Sequence, residues 1–145
     1  MISLREIDKG NFWRIISLSV ADEQKDLVAS NAISIAQSKV QPECVALAVY
    51  YEDTPVGFVM YAMDTDDHEY WIYRLMIDRK FQSKGYGQQA MKQLLSLIQK
   101  DKGHQVIYIS FEPANERAKL LYRSLGFIPD GRIIEDEVVY KLTYK

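Results

Sequence analysis

A chain of 145 residues, 26% charged and 48% hydrophobic, has the length of one ordinary domain and is too short for two well-cored ones, so residues 1–145 are expected to form a single domain. Seven Gly and four Pro exclude collagen-like and linker-dominated chains, and no apolar run approaches the ~20 residues of a membrane-spanning helix. The net charge of -2 hides a split: residues 1–78 carry 6 Lys+Arg against 13 Asp+Glu, and residues 79–145 carry 12 against 7. Such a split is either an uneven spread that folding mixes again or the mark of two surfaces with different charge preferences.

Met1 to Asp8 lacks the basic start and apolar middle of a secretory signal, so a soluble cytoplasmic protein is the default expectation. Ile2, Leu4 and Ile7 read as a short strand. Phe12, Ile15, Ile16 and Val20 follow at helical spacing with Asn11 as N-cap, and a second helix is expected around Val28 to Gln37. Pro42 marks the entry to two β-rich runs, Cys44 to Tyr51 and Val56 to Met63, joined by Glu52, Asp53, Thr54 and Pro55 as a hairpin. The acidic stretch Asp64 to Glu69 turns the chain into a third strand, Tyr70 to Asp78. Cys44, beside Val45, Leu47 and Val49, reads as a buried thiol. One cysteine and two distant histidines, His68 and His104, make neither a disulfide nor a zinc set, and no metal is expected.

After Asp78 the pattern changes. A loop, Arg79 to Gly87, leads into a helix with Ala90, Met91, Leu94, Leu95 and Ile98 on one face and Gly103 as its stop. Val106 to Phe111 is a strand, Asn115 caps a short helix carrying Ala118, Leu121, Tyr122 and Leu125, and Gly126 ends it. Phe127 to Pro129 and Val138 to Thr143 read as short strands, the second after the acidic turn Glu135, Asp136, Glu137. The layout is α+β with one strand, helix, strand crossover in its middle.

Gln82, Ser83, Lys84, Gly85, Tyr86 and Gly87 form the most informative segment. Two glycines one residue apart at a helix start let several amide N–H groups converge where the helix dipole favours an anion, which suits a pyrophosphate. Lys84 adds charge there. The bland alternative is a tight strand-to-helix turn. Gly85, Gly87 and Ala90 formally fit the dinucleotide fingerprint, with Glu112 as the ribose acid. The six residues Arg79 to Lys84 before the first glycine, the antiparallel region before the loop and the short chain after Glu112 all count against that reading. The P-loop pattern is absent.

Leu75, Met76 and Ile77 followed by Gln82 to Gly87 resemble the acetyl-coenzyme A loop of the GCN5-related N-acetyltransferases, Q/R-x-x-G-x-G/A after a central strand. Asn115, Ala118, Leu121, Tyr122, Gly126 and Phe127 resemble the family's N-x-x-A-x-x-L-Y-x-x-x-G-F signature. The resemblance spans essentially the whole chain; Arg79 departs from it, where many relatives carry proline. It implies the acyl-CoA N-acyltransferase fold, a mixed central sheet with an antiparallel N-terminal meander and helices on both faces. It also implies direct transfer of an acetyl group from acetyl-coenzyme A to an amine.

Under that resemblance the backbone of Leu75, Met76 and Ile77 would bind the pantetheine and thioester carbonyl at a splay of the central strand, while their side chains pack in the core. Gln82, Ser83, Lys84, Gly85, Tyr86, Gly87 and Gln88 would hold the coenzyme, and Asn115 would bond its arm as well as cap its helix. Tyr122 resembles the tyrosine that protonates the departing thiolate, since a phenol of pKa ~10 remains a donor at neutral pH; the other reading is an interior tyrosine. Arg117, Lys119 and Arg123 are candidates for the nucleotide phosphates or simply solvated helix charges. Where some relatives carry a basic carboxylate this chain has Tyr73, and Glu69 lies four residues earlier as either a substitute or a turn-edge acid.

The first half also resembles the polyamine (spermine and spermidine) branch, in Gln24, Val28, Asn31, Ser34, Ile35 and Ala36 and in Gly57 to Tyr61. Asp22, Glu23, Glu43, Asp64, Asp66, Asp67 and Glu69 are carboxylates available to a polycation, and Trp71, Tyr73 and Tyr61 are surfaces for its alkylammonium chain. Glu23, Glu69, Trp71 and Tyr73 are the acceptor candidates. The expected partner is a small amine rather than nucleic acid or membrane, and the resemblance admits a homodimer. A peptide or protein amine, an aminoglycoside, or a non-catalytic acyl-coenzyme A sensor are the alternatives.

Overall fold

The computed structural model of the protein describes residues 1–144. Strands β1 (Ile2–Glu6), β2 (Cys44–Tyr51), β3 (Thr54–Met63), β4 (Tyr70–Ile77), β5 (Val106–Phe111), β6 (Ile128–Ile134) and β7 (Glu137–Thr143) form one sheet in the order β1-β2-β3-β4-β5-β7-β6. Every adjacent pair is antiparallel except β4 and β5. Helices α1 (Phe12–Ile16), α2 (Asn31–Val40), α3 (Tyr86–Ile98) and α4 (Glu116–Ser124) cover both faces. This is the α+β mixed sheet with an N-terminal antiparallel meander that the sequence implies.

Helix α3 turns Ala90, Met91, Leu94, Leu95 and Ile98 onto Ile72, Ile107 and Ile109, where each large side chain contributes about 1.5–3 kcal/mol on burial. On the opposite face Ile15 and Ile35 pack toward Phe58, Met60 and Met76. Helix α1 is shorter than the apolar spacing predicts. Past Ile16 the chain is drawn to the buried Asp78, whose Oδ1 accepts from the Ser19 N–H at 2.7 Å, while the Arg79 N–H donates to the Ser19 carbonyl. Asn11 occupies the N-cap position of α1 without capping it: its Nδ2 donates to the Glu6 carbonyl and to Tyr50 Oη, and its Oδ1 accepts from the Asp8 N–H.

Helix α2 begins three residues later than expected because Ser30 Oγ accepts from the Ile33 N–H and sets its first turn. Helix α3 ends at Ile98, and Gly103 lies in the following turn, bonded to Asp101. β6 runs five residues past the short strand Phe127 to Pro129 that the sequence suggests, with an irregular stretch between Pro129 and Ile133 inside an exposed edge strand.

Two irregularities of β4 shape the functional region. Met60 pairs with Arg74 but Tyr61 pairs with Ile72, leaving Tyr73 as a bulge residue that reverses the strand's alternation. Before it Tyr70 and Ile72 face the α3 core; after it Leu75 and Ile77 do, while Met76 joins the α2 side. β4 pairs with β5 only through Tyr70, Trp71 and Ile72, against Ile107, Tyr108 and Ile109. From Tyr73 onward the two strands separate.

Candidate active site

The separation of β4 from β5 opens a cleft of about 930 Å³ that runs from the start of α3, past α4, to the β6–β7 hairpin. Along Arg74 to Ile77 the edge of β4 facing β5 has no strand partner, so backbone groups are left available to a bound chain. Two carbonyls of β4, one just before this stretch and one at its end, are already engaged. Arg74 Nη1 donates to the Tyr73 carbonyl at 2.8 Å, and Gln82 Nε2 donates to the Ile77 carbonyl at 2.9 Å and to Gln24 Oε1 at 2.8 Å.

At the near end, Ser83 and Gly85 both have left-handed backbones, with φ of 65° and 82°. They turn the chain into α3, whose N-cap Gly85 has no side chain to cap it and whose first turn holds no acid. The first N–H groups of a thirteen-residue helix are therefore presented to the cleft with their dipole unopposed. A pyrophosphate fits such a cradle. Arg117 supplies a cation on the facing helix, whereas Lys84 is exposed and outside the lining. Gly85→Ala forces an L side chain into the left-handed region at a cost of about 1 kcal/mol or more, and coenzyme A titrated into the variant is expected to bind several-fold more weakly.

In the middle of the cleft stands Tyr122, buried at 5% exposure, its ring 5.5 Å from Phe111 and 5.9 Å from Phe127. Its hydroxyl makes no hydrogen bond among the described residues. Burial pushes the phenol well above its ordinary value of 10, so it stays protonated at neutral pH and can only give a proton. Asn115 Oδ1 accepts from the Ala118 N–H at 3.2 Å and caps α4, and the carboxamide also lines the cleft.

The far end is polar. Tyr73 donates to Asp64 Oδ2 at 2.9 Å; burial and then that carboxylate push its phenol up strongly, so Tyr73 is no base. Arg74 reaches Gln37 Oε1 through Nη2, makes no ion pair among the described residues and keeps a buried Nε without a partner. Trp71 stacks on Tyr108 at 5.0 Å and donates to Asp67 Oδ2, and the Arg132 guanidinium lies over both rings. Acids reach the cleft from separate elements: Asp26 from the loop before α2, Asp64 from the end of β3, Glu112 from the end of β5, Glu135 and Glu137 from the β6–β7 hairpin.

The structure thus brings Leu75, Met76, Ile77, Gln82, Ser83, Gly85, Tyr86, Gly87, Gln88, Asn115, Tyr122, Trp71 and Tyr73 to one cleft, and leaves Lys84, Glu23 and Glu69 outside its lining. Glu23 sits in the 3-10 turn Asp22–Gln24, from which Gln24 points inward to Gln82. Glu69 precedes β4 where that strand is still paired with β5, about 13 Å along the chain from Tyr73. Asp66 and Asp67 are likewise outside, their loop closed on itself by bonds to Asp64, Glu69 and Trp71. The lining acids Asp26, Glu135 and Glu137, together with Arg74 and Ser110, are not singled out as site residues by the sequence, and Glu112 is named there only as the ribose acid of the disfavoured dinucleotide reading. The signal for Glu137 was its acidic turn, whose strand parity appears only once β7 is paired.

Residues 12–127 match the profile of the Acetyltransferase (GNAT) family. The chain is 27% identical over 138 residues to the spermine/spermidine N(1)-acetyltransferase of Bacillus subtilis, covering 91% of each. Among solved structures it resembles the spermidine N-acetyltransferase of Vibrio cholerae, in complex with CoA and spermine, with a TM-score of 0.76 at 15% identity over 99% of this chain and 95% of that one. It also resembles an aminoglycoside acetyltransferase, in complex with coenzyme A and kanamycin, with a TM-score of 0.81 at 17% identity over the same shares.

Proposed function

The chain belongs to the acetyltransferase (GNAT) family, and from that premise we propose that it acetylates a polyamine or diamine, with Tyr122 as the proton donor to the leaving thiolate. It is an acetyl-coenzyme A-dependent N-acetyltransferase. Acetyl-coenzyme A supplies the activated acyl group; the chain's own residues hold it, orient the amine and move protons. The uncapped amides at the start of α3 suit the pyrophosphate, and the unpaired edge of Arg74 to Ile77 suits the pantetheine arm and thioester. Tyr122 lines the same cleft with its hydroxyl protonated at neutral pH and free of other partners among the described residues, so it is available to hydrogen-bond the leaving sulfur and hand it a proton.

The observation that carries the acceptor class is the set of five carboxylates lining the cleft, converging from four segments of the chain on a wall that includes Trp71 and Tyr73. Separated anions converging on one cleft suit a cation with several charges along an alkyl chain. The Bacillus subtilis relative, named for spermine and spermidine, agrees with that reading. Arg74 favours a second one, a peptide amine whose own carboxylate would meet the guanidinium.

A thiol-release assay across spermine, spermidine, diamines, aminoglycosides and short peptides tests the choice. Asp26→Asn and Glu135→Gln should each raise KM for spermine roughly fivefold, as expected for losing one near, solvent-screened charge, with KM for acetyl-coenzyme A unchanged. Turnover only with acidic peptides, abolished by Arg74→Met, would replace the polyamine by a peptide amine.

A further inference from the structure

Resting on the acetyltransferase reaction just described, we propose that Glu137 is the catalytic residue that takes the proton from the acceptor amine, with Ser110 as the residue that positions it. The sheet itself leads to this assignment. Trp71 and Tyr108 are register partners stacked on one face, and Ser110, two residues on, shares that face. Ser110 lies opposite Val139, and Glu137, two residues before it on β7, is on the same side. Phe111 points to the other face, where its ring meets Tyr122. The opening between β4 and β5 is therefore flanked by Tyr122 on one face and by Ser110 with Glu137 on the other.

Ser110 Oγ donates to Glu137 Oε1 at 2.8 Å, which fixes the carboxylate and leaves Oε2 without a hydrogen bond among the described residues. The other acids of the cleft lack this combination. Asp64 already accepts from Tyr73 Oη and from the Asp66 N–H, Asp26 and Glu135 are exposed, and Glu112 has no side-chain hydrogen bond among the described residues to hold it. Arg74 and Arg117 are the cations along the same cleft.

The step balances. The acceptor ammonium gives one proton to Glu137, directly or through a water, and the freed lone pair forms the N–C bond as the C–S bond breaks. The nitrogen's second proton leaves to solvent, Tyr122 gives its proton to the thiolate and regains one from solvent, and Glu137 releases the proton it took.

The test compares Glu137→Gln, Ser110→Ala and Glu112→Gln with the unaltered protein, using whichever amine gives the fastest thiol release. Gln retains an oxygen that can accept from Ser110 but cannot take a proton, so kcat/KM at pH 7 should fall about 100-fold or more while coenzyme A binding persists. The deficit should shrink toward pH 10, where alkylamines supply their own neutral form. Ser110→Ala should cost roughly tenfold in kcat with KM for the amine little changed. The assignment is overturned if Glu137→Gln stays within twofold of the unaltered protein, if its loss is equal at every pH, or if Glu112→Gln carries the pH-dependent loss instead. A fastest acceptor that is not a polyamine would defeat the polyamine reading and leave this comparison intact.

Discussion

Tyr122→Phe is expected to lower kcat by a factor of about 10²–10⁴, the usual worth of a positioned proton donor, with coenzyme A binding and melting temperature nearly unchanged. The separation of the effects follows from the hydroxyl's surroundings. It makes no hydrogen bond among the described residues, so its removal breaks no internal contact, and the Phe ring retains the packing against Phe111 and Phe127. Burial raises the phenol above 10, so the donor form persists through pH 7–10 and no alkaline loss of activity in that range should trace to Tyr122. Calorimetric binding of coenzyme A beside thiol-release kinetics checks the claim. A variant within threefold of normal turnover would return Tyr122 to the role of an interior tyrosine.

Gly57→Ala should be the most damaging single methyl in the sheet. A Cβ at Gly57 would lie 2.4 Å from the Met76 carbonyl oxygen and 2.8 Å from Ile77 Cδ1. The first of these is backbone, so relief requires β3 and β4 to move apart along the segment that forms the cleft wall. Overpacking of this kind costs about 1–3 kcal/mol or more, which for a domain of this size lowers Tm by roughly 3–10 °C. The displaced strand is Met76–Ile77, so KM for acetyl-coenzyme A should rise as well. Gly87→Ala is the control: its Cβ would meet Leu121 Cδ2 at 3.6 Å and Ile77 Cγ1 at 3.8 Å, ordinary contact, and Tm should hold. Equal melting temperatures for the two variants would show that β4 yields freely at this point.

Much of the architecture was legible in local chemistry. The apolar spacing of Ala90, Met91, Leu94, Leu95 and Ile98 defines α3 because a 3.6-residue repeat leaves one stripe to bury, and the observed helix buries those five. Asn115 caps α4 as its side chain suggests, and Gly85 takes the left-handed conformation its place before a helix suggests. Elements set by distant partners were less legible. The end of α1 is fixed by Asp78, fifty-nine residues beyond Ser19, and the length of β6 by its pairing with β7 through residues that locally favour a turn.

The charge split illustrates the same boundary. The sequence divides into an acidic first part and a basic second part, but the cleft draws Asp26 and Asp64 from the first and Glu112, Glu135 and Glu137 from the second, with Arg74 from the acidic half among them. The sequence by itself determined the family, the glycine loop proposed for the coenzyme and the tyrosine proposed as proton donor, because each depends on side chains and glycines at short, fixed spacing. Only the tertiary structure decided which carboxylates line the cleft. That choice depends on a one-residue bulge at Tyr73 and on the parity of β7 against β5, and a shift of one residue in either sends a side chain to the opposite face of the sheet.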